Sequence, residues 1–449
     1  STLTSTVATT NVAEGTTIYW AVSGTNIAAA DFDPAVLNGS ATVGADGNAT
    51  FAQVLASDSL TEGTETLSLK VYSDANRTTQ VGTTVDVSIA DTTPDNVELT
   101  TGDDDFTGTA FNDTYTASET TLGAADIIDG EGGSTDRLRY SSTGGVAVAE
   151  SGFQTSEVEV YDLTSTATGG TNVNMSGADN VTAIINRIST TNLAVQRIKA
   201  LTTVDLIGVS AGNTTISYDD DVLTGTADTL TLSLNNNITT ANGAIGVVTV
   251  GDTTGDGFET VNVDSSTAAS QLTGLATGAA TINVTGNANL STGPNALVNA
   301  TTVNASTFTG DLDVVLDSAG TGRDVVVTGG TGNDTADFSA GFEAGDSFTG
   351  GDGTTDTVVF TQALASGALG GALSTVEQVR ISTAGTGSID MDDFAGVTRV
   401  IYDAGITAAG TATVDDLVSN LTIEVDSANA NANLVAILGT DGTSDVLNI

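Results

Sequence analysis

The stretch TGGTGNDTADF, residues 328–338, sets glycines at 329, 330 and 332 beside carboxylates at Asp334 and Asp337. Glycine reaches backbone conformations with φ > 0. A bend built from Gly329, Gly330 and Gly332 is therefore expected to curl and aim carbonyl oxygens inward, where Asp334 adds a carboxylate. Oxygen ligands at about 2.3–2.6 Å suit Ca²⁺, which tolerates irregular coordination. The last three positions of GGTGNDTAD (329–337) are expected to run out as strand, with Ala336 a small occupant of the apolar position. GGDGTTDTV (350–358) is a second such bend, carrying Gly350, Gly351, Asp352 and Asp356. DGEGGSTDRL (129–138) has the same stretched form, with Asp129 and Asp136, and GTAFNDTYT (108–116) is a degenerate version around Asp113. The step from Asp113 to Asp136 nearly equals the step from Asp334 to Asp356, and Asp126 and Asp346 each stand ten places before the second Asp. Such bends can stack as neighbouring turns and share an ion. The plainer reading is that Asp caps its own loop wherever a strand reverses.

The rest of the chain limits the chemistry. The 449 residues include 56 Asp and Glu against 10 Lys and Arg, for a formal charge of −46. A chain so acidic repels nucleic-acid phosphate and anionic membranes. High-salt solubility, divalent-cation binding and surface solvation remain. Histidine and cysteine are absent, which removes Ser-His-Asp triads, imidazole bases and disulfides. No apolar run is long enough to suggest a membrane-spanning helix. Arg137, Arg139, Arg187, Arg197 and Lys199 gather loosely within residues 100–320. They are expected to pair with local acids; an acidic partner subunit is the other reading.

Thr, Ser, Gly, Asn and Val dominate, favouring strands and turns over helices. The predicted fold class is all-β: an N-terminal Greek-key β-sandwich followed by β-solenoid (parallel β-helix-like) repeat modules. Alternating runs at 16–24, 49–57, 64–73 and 83–91 place the sandwich in residues 1–95. Trp20, Tyr19 and Phe51 are expected in its core. After residue 100, short Val/Ile strands recur at 156–163, 202–208, 228–234, 259–265, 280–286, 301–306, 311–317 and 323–329. The spacing suggests stacked turns, each burying its apolar face on the next, with Tyr161, Tyr218 and Tyr402 packed between them.

A longer repeat lies over that one. NDTYTASETTLGAADIIDGEGGSTDRLRY (112–140) aligns with NDTADFSAGFEAGDSFTGGDGTTDTVVF (333–360) at an offset of 220–221, and the match continues downstream at 216–218. Residues 100–320 are thus read as one module and 321–449 as a partial second copy. The second copy lacks a counterpart of 233–320, so either the biological chain continues past Ile449, which is the expectation, or the second module is truncated.

Two family resemblances follow from these motifs. NVAEGT (11–16), AAADFD (28–33), SDSLTEGTETLSLKV (57–71) and IADTTPD (89–95) resemble a Calx-β domain. That resemblance implies Ca²⁺ at one end of the sandwich, held by Glu14, Asp31, Asp58, Glu62, Glu65 and Asp91. The nonapeptide at 329–337, the NDT…D cassettes and the GTADTLTL and GTSDVLNI strands resemble bacterial surface-layer and type I-secreted RTX proteins. That family implies export, Ca²⁺-triggered folding outside the cell, and assembly into a lattice or fibre. Isolated bend pairs, in place of long runs, imply discrete ions at selected turns. The expected function is therefore a Ca²⁺-stabilised, non-enzymatic subunit of an extracellular sheet or filament. Self-association is the expected partnership, with an outer-membrane polysaccharide as a further anchor; nucleic acid and membrane insertion are excluded. A Ca²⁺-dependent adhesin binding glycans or a host surface is the alternative.

Overall fold

The computed structural model describes residues 2–25, 27–55, 65–89, 96–144, 148–235, 244–252, 257–293, 297, 299–316, 323–338, 342, 345–360, 372–382, 387–403, 411–417, 420–425 and 433–438. The chain forms two compact units. The smaller holds residues 1–98, 106–115 and 128–136; the larger holds 99–105, 116–127 and 137–449. Both are built from strands. The helical pieces among the described residues are two single turns, Ala29–Asp31 and Met391–Asp393, neither long enough to cross a membrane.

The sheets that residues 2–89 of the smaller unit form are antiparallel. Thr2–Ala8 pairs with Asn48–Val54, and a second sheet runs in the order Asn38–Thr42, Thr17–Thr25, Glu65–Tyr72, Gln80–Ile89. Alternation along Thr17–Thr25 turns Ile18, Trp20 and Val22 inward. Ile18 packs with Val43 and Ala49, and Val22 with Phe32 and Leu67. Trp20 is buried and stacks on Phe51 at 4.8 Å and 5°. Gly39 is there because any Cβ would collide with the Trp20 indole. Sequence reading anticipated four of these strands but not Thr2–Ala8 or Asn38–Thr42. Their Thr-, Ser- and Asn-rich residues carry too little apolar alternation to stand out.

The larger unit contains a parallel β-solenoid; the chain has about 12 turns of it. Most turns lend one strand to each of two long sheets; Gly387–Asp390, Thr411–Leu417 and Asn433–Leu438 pair in a separate parallel sheet. One sheet has thirteen strands, from Val148–Glu150 to Thr422–Val425. The other, within this unit, runs from Arg137–Ser142 to Ala372–Ser374. Most turns advance by a near-constant step, as from Thr281 to Thr302 or from Thr335 to Thr357. The step from Thr214 to Val248 is longer.

Parallel register stacks like on like. Val204, Leu232, Val263 and Val284 are direct partners across four strands, and all four are buried. Each such side chain contributes about 1.5–3 kcal/mol of burial. Tyr161, Tyr218 and Tyr402 are buried between turns, as expected. The Tyr218 hydroxyl meets Thr202 Oγ1 at 2.9 Å. At the repeat boundary read at 320/321, neither sheet is interrupted. Thr302–Asn304 pairs with Val326–Thr328, and Leu312–Val315 with Thr335–Asp337.

Candidate metal-binding loops

The glycine bends stack on successive turns of the solenoid. Gly329 N donates to Thr349 O at 2.8 Å, and Asp352 N to Gly330 O at 3.0 Å. This closeness gives the glycines a different reason from the one expected. Gly329, Gly330, Gly332, Gly350 and Gly353 do not occupy the left-handed region; of the 350–353 bend only Gly351 does, at φ +111°. A Cβ at Gly330, Gly332 or Gly351 would stand well under 3.0 Å from a carbonyl oxygen of the preceding turn. Glycine serves here because neighbouring backbones touch.

The acids of the bends turn into the protein. Asp113, Asp126, Asp136, Asp334, Asp346 and Asp356 are all at most 3% exposed. Their carboxylates accept backbone N–H groups: Asp126 and Asp334 from their own bend and from the turn before, Asp113 from its own bend, and Asp136, Asp346 and Asp356 from the turn before. Asp334 Oδ2 accepts from Gly330 N at 2.7 Å and Oδ1 from Leu312 N at 2.9 Å. Asp356 Oδ1 accepts from Asp334 N at 2.8 Å, and Glu377 Oε2 from Asp356 N at 2.9 Å. The result is a column of one carboxylate per turn: Asp334, Asp356, Glu377.

The smaller unit's bends repeat this pattern at the offset read from sequence. Thr109 N donates to Asp113 Oδ2 and Asp113 N to Asp136 Oδ1, both at 2.6 Å. Asp126 and Asp346 also correspond. Asp126 Oδ1 takes Asp104 N at 3.0 Å, and Asp346 Oδ1 takes Val325 N at 2.7 Å. Asn112 Oδ1 accepts from Ser134 N and Thr135 N, as Asn333 Oδ1 accepts from Thr354 N and Thr355 N. The sequence repeat is thus a repeat of hydrogen-bond roles.

Three other candidate acids sit apart from these columns. Asp129 is half-buried and caps its own bend through Glu131 N at 3.2 Å. Asp337 is half-buried on the strand whose buried residue is Ala336. Asp352 is exposed. Of the Calx-β-like set, Asp58, Glu62 and Asp91 lie outside the described residues. Glu14 is exposed, Asp31 Oδ2 accepts from Ala28 N at 2.6 Å, and Glu65 is buried.

The electrostatics of the Asp334–Asp356–Glu377 column are unfavourable to full ionisation. Burial raises the Asp356 carboxyl to about 6; the charges of Asp334 and Glu377 push the same way, and the N–H of Asp334 opposes them. Burial raises Asp334 too. Asp356 Oδ2 is buried and has no hydrogen-bond partner. A buried, orphaned carboxylate oxygen in a stack of like charges is what a hard cation would relieve, so the residues present fit Ca²⁺. They form no three-carboxylate cage. Among the described residues, the set whose oxygens all lie within 4.8 Å is Asp390, Asp392 and Asp416, which sequence reading did not single out. Asp416 sits at φ +50°. Its carboxyl is raised by desolvation and by the charges of Asp392, Asp415 and Asp390. Asp390 and Asp416 are distant in sequence and meet through the parallel pairing of Gly387–Asp390 with Thr411–Leu417. No spacing rule marks such a pair.

No protein-family model matches the chain, and no curated protein is significantly similar to it.

Proposed function

We propose that this protein is a structural subunit of an extracellular layer or filament whose solenoid is stabilised by Ca²⁺ at its acidic bends. The observation that carries the reading is the Asp334–Asp356–Glu377 column, with the buried Asp356 Oδ2 left unpartnered. Asp334, Asp356 and Glu377, with carbonyls of the glycine bends, would hold the ion; Asp390, Asp392 and Asp416 form a second candidate place. Calcium, when bound, supplies the positive charge that lets stacked carboxylates stay ionised. The chain's own part is positioning: each carboxylate fastens one turn to the next through a backbone N–H.

The resemblance to type I-secreted surface proteins and the charge of −46 fit a protein that folds where free calcium is plentiful. Inside a cell, the ionised columns would repel; outside, they would close. In this reading the molecule associates with copies of itself and acts as scaffold, not catalyst. The test is to image purified protein by electron microscopy with millimolar CaCl₂ and with excess EDTA, and to measure its melting temperature in both. Ordered sheets or fibres are expected with calcium, and a melting temperature raised by roughly 10 °C through the linkage of binding to folding. An unchanged melt in EDTA sinks the calcium part; monodisperse particles in both conditions sink the assembly part.

A further inference from the structure

The groove above Asp162 carries an inference independent of the calcium reading, because it uses none of the bend acids. On the outer face of Arg137–Ser142, alternation points Arg137, Arg139 and Ser141 away from the buried Leu138, Tyr140 and Ser142. In the next strand Asp162 is the direct partner of Arg139. Yet Asp162 is held by the two diagonal neighbours. Arg137 Nη1 reaches it at 3.0 Å and Arg187 Nε at 2.8 Å. Asp162 is 5% exposed, while Arg137 and Arg187 keep part of their side chains in solvent. Arg139 is exposed and makes no ion pair among the described residues. Arg137, Arg139 and Arg187 outnumber the acids Asp162 and Asp205 on this outer face, in a chain that has 10 basic residues in all. Beside them opens a groove of about 390 Å³ whose lining includes Thr116, Arg139, Ser141, Asp162, Thr164 and Arg187. That volume falls within the about 300–1,000 Å³ of small-molecule sites.

We propose that this groove is a subsite for a hexuronate unit of an acidic polysaccharide. The planar carboxylate of the sugar matches the guanidinium fork of Arg139, which can bind it through two parallel N–H donors. Arg187 adds a second positive charge. Thr116, Ser141 and Thr164 supply hydroxyls of the kind that bond ring hydroxyls. Asp162 positions the two flanking arginines and is too deep to repel the ligand strongly once it is paired. The surrounding charge of −46 repels a polyanion elsewhere, so binding is confined to this patch and weakens as salt rises. A carboxylate on a second copy of the chain is the competing occupant. The concave, hydroxyl-lined wall favours the sugar.

Isothermal titration of the full chain with trigalacturonate, and separately with neutral maltotriose, tests the site. Saturable binding of trigalacturonate alone is expected. Arg139→Gln should weaken it about tenfold, the effect of losing one charge-assisted contact, and Arg139→Lys should fall between. Arg139 is exposed, so circular dichroism should show both variants folded. Absent trigalacturonate binding, equal binding of maltotriose, or unchanged affinity in Arg139→Gln would overturn the proposal. So would a sedimentation shift in Arg139→Gln with saccharide affinity intact, which would assign the groove to contacts between copies.

Discussion

Asp334 and Asp356 differ in what they leave unmet. Both oxygens of Asp334 accept backbone N–H groups, so Asp334→Ala strands two buried donors. At about 1–3 kcal/mol each, the expected loss is about 2–6 kcal/mol, read from chemical denaturation. Asp356 instead keeps one oxygen without a partner. Asp356→Asn retains an acceptor for Asp334 N while removing a buried charge. In EDTA it should melt about 2–4 °C above the parent, and its response to calcium should shrink. The pH dependence has a definite sign. The folded Asp356 carboxyl, at about 6, lies above the ordinary Asp value of about 4. Its contribution to stability is full below about pH 4 and is lost as pH rises through about 6. Asp334 and Glu150, also raised by burial, act in the same direction. Chelated protein should therefore melt at a higher temperature at pH 4.5 than at pH 7, with a smaller difference in Asp356→Asn. Equal slopes for the two would show that Asp356 does not titrate as described.

Between turns, the limiting quantity is space. Gly351 combines φ +111° with a Gly330 carbonyl where a Cβ would go. Gly351→Ala should cost about 2–4 kcal/mol, from overpacking plus left-handed strain. Gly15 offers the control: φ is +81° but nothing lies within 4 Å of an added Cβ. Gly15→Ala should therefore cost only the strain, about 1–2 kcal/mol. If urea denaturation gives the two variants equal losses, close backbone stacking is not what selects glycine in the bend. The solenoid strands were legible because their Val, Ile and Leu alternate with Thr and Asp at a recurring step. The glycine explanation was not, because φ freedom and close approach both select glycine and no single sequence separates them.

At the scale of the molecule, a charge of −46 can be met by screening or by ligation, and salt distinguishes the two. The Debye length falls to about 3 Å in 1 M salt, which weakens repulsion among exposed acids but reaches buried columns poorly. NaCl at 1 M should thus raise the melting temperature of chelated protein by less than half of what 5 mM CaCl₂ achieves. Comparable shifts would reduce calcium to a generic counterion. The same measurement on Asp356→Asn should leave the NaCl response unchanged, since that response comes from the surface.

The amino-acid sequence by itself determined the all-β class, the antiparallel and solenoid parts, the buried tyrosines and the correspondence of Asp113 with Asp334 and Asp136 with Asp356. Each of these rests on local alternation or on a repeat, and both are properties of residue order. Tertiary structure alone decided that the bend acids face inward and fasten one turn to the next, since the donors that join the turns, such as Leu312 N for Asp334 and Asp334 N for Asp356, lie a full turn away along the chain. It also decided that Glu377 completes the Asp334 column, that Asp390 meets Asp416, and that Arg139 is left over when Arg137 and Arg187 take Asp162. Parallel stacking brings residues one turn apart into contact, and which side chain claims a shared partner is settled by register and reach.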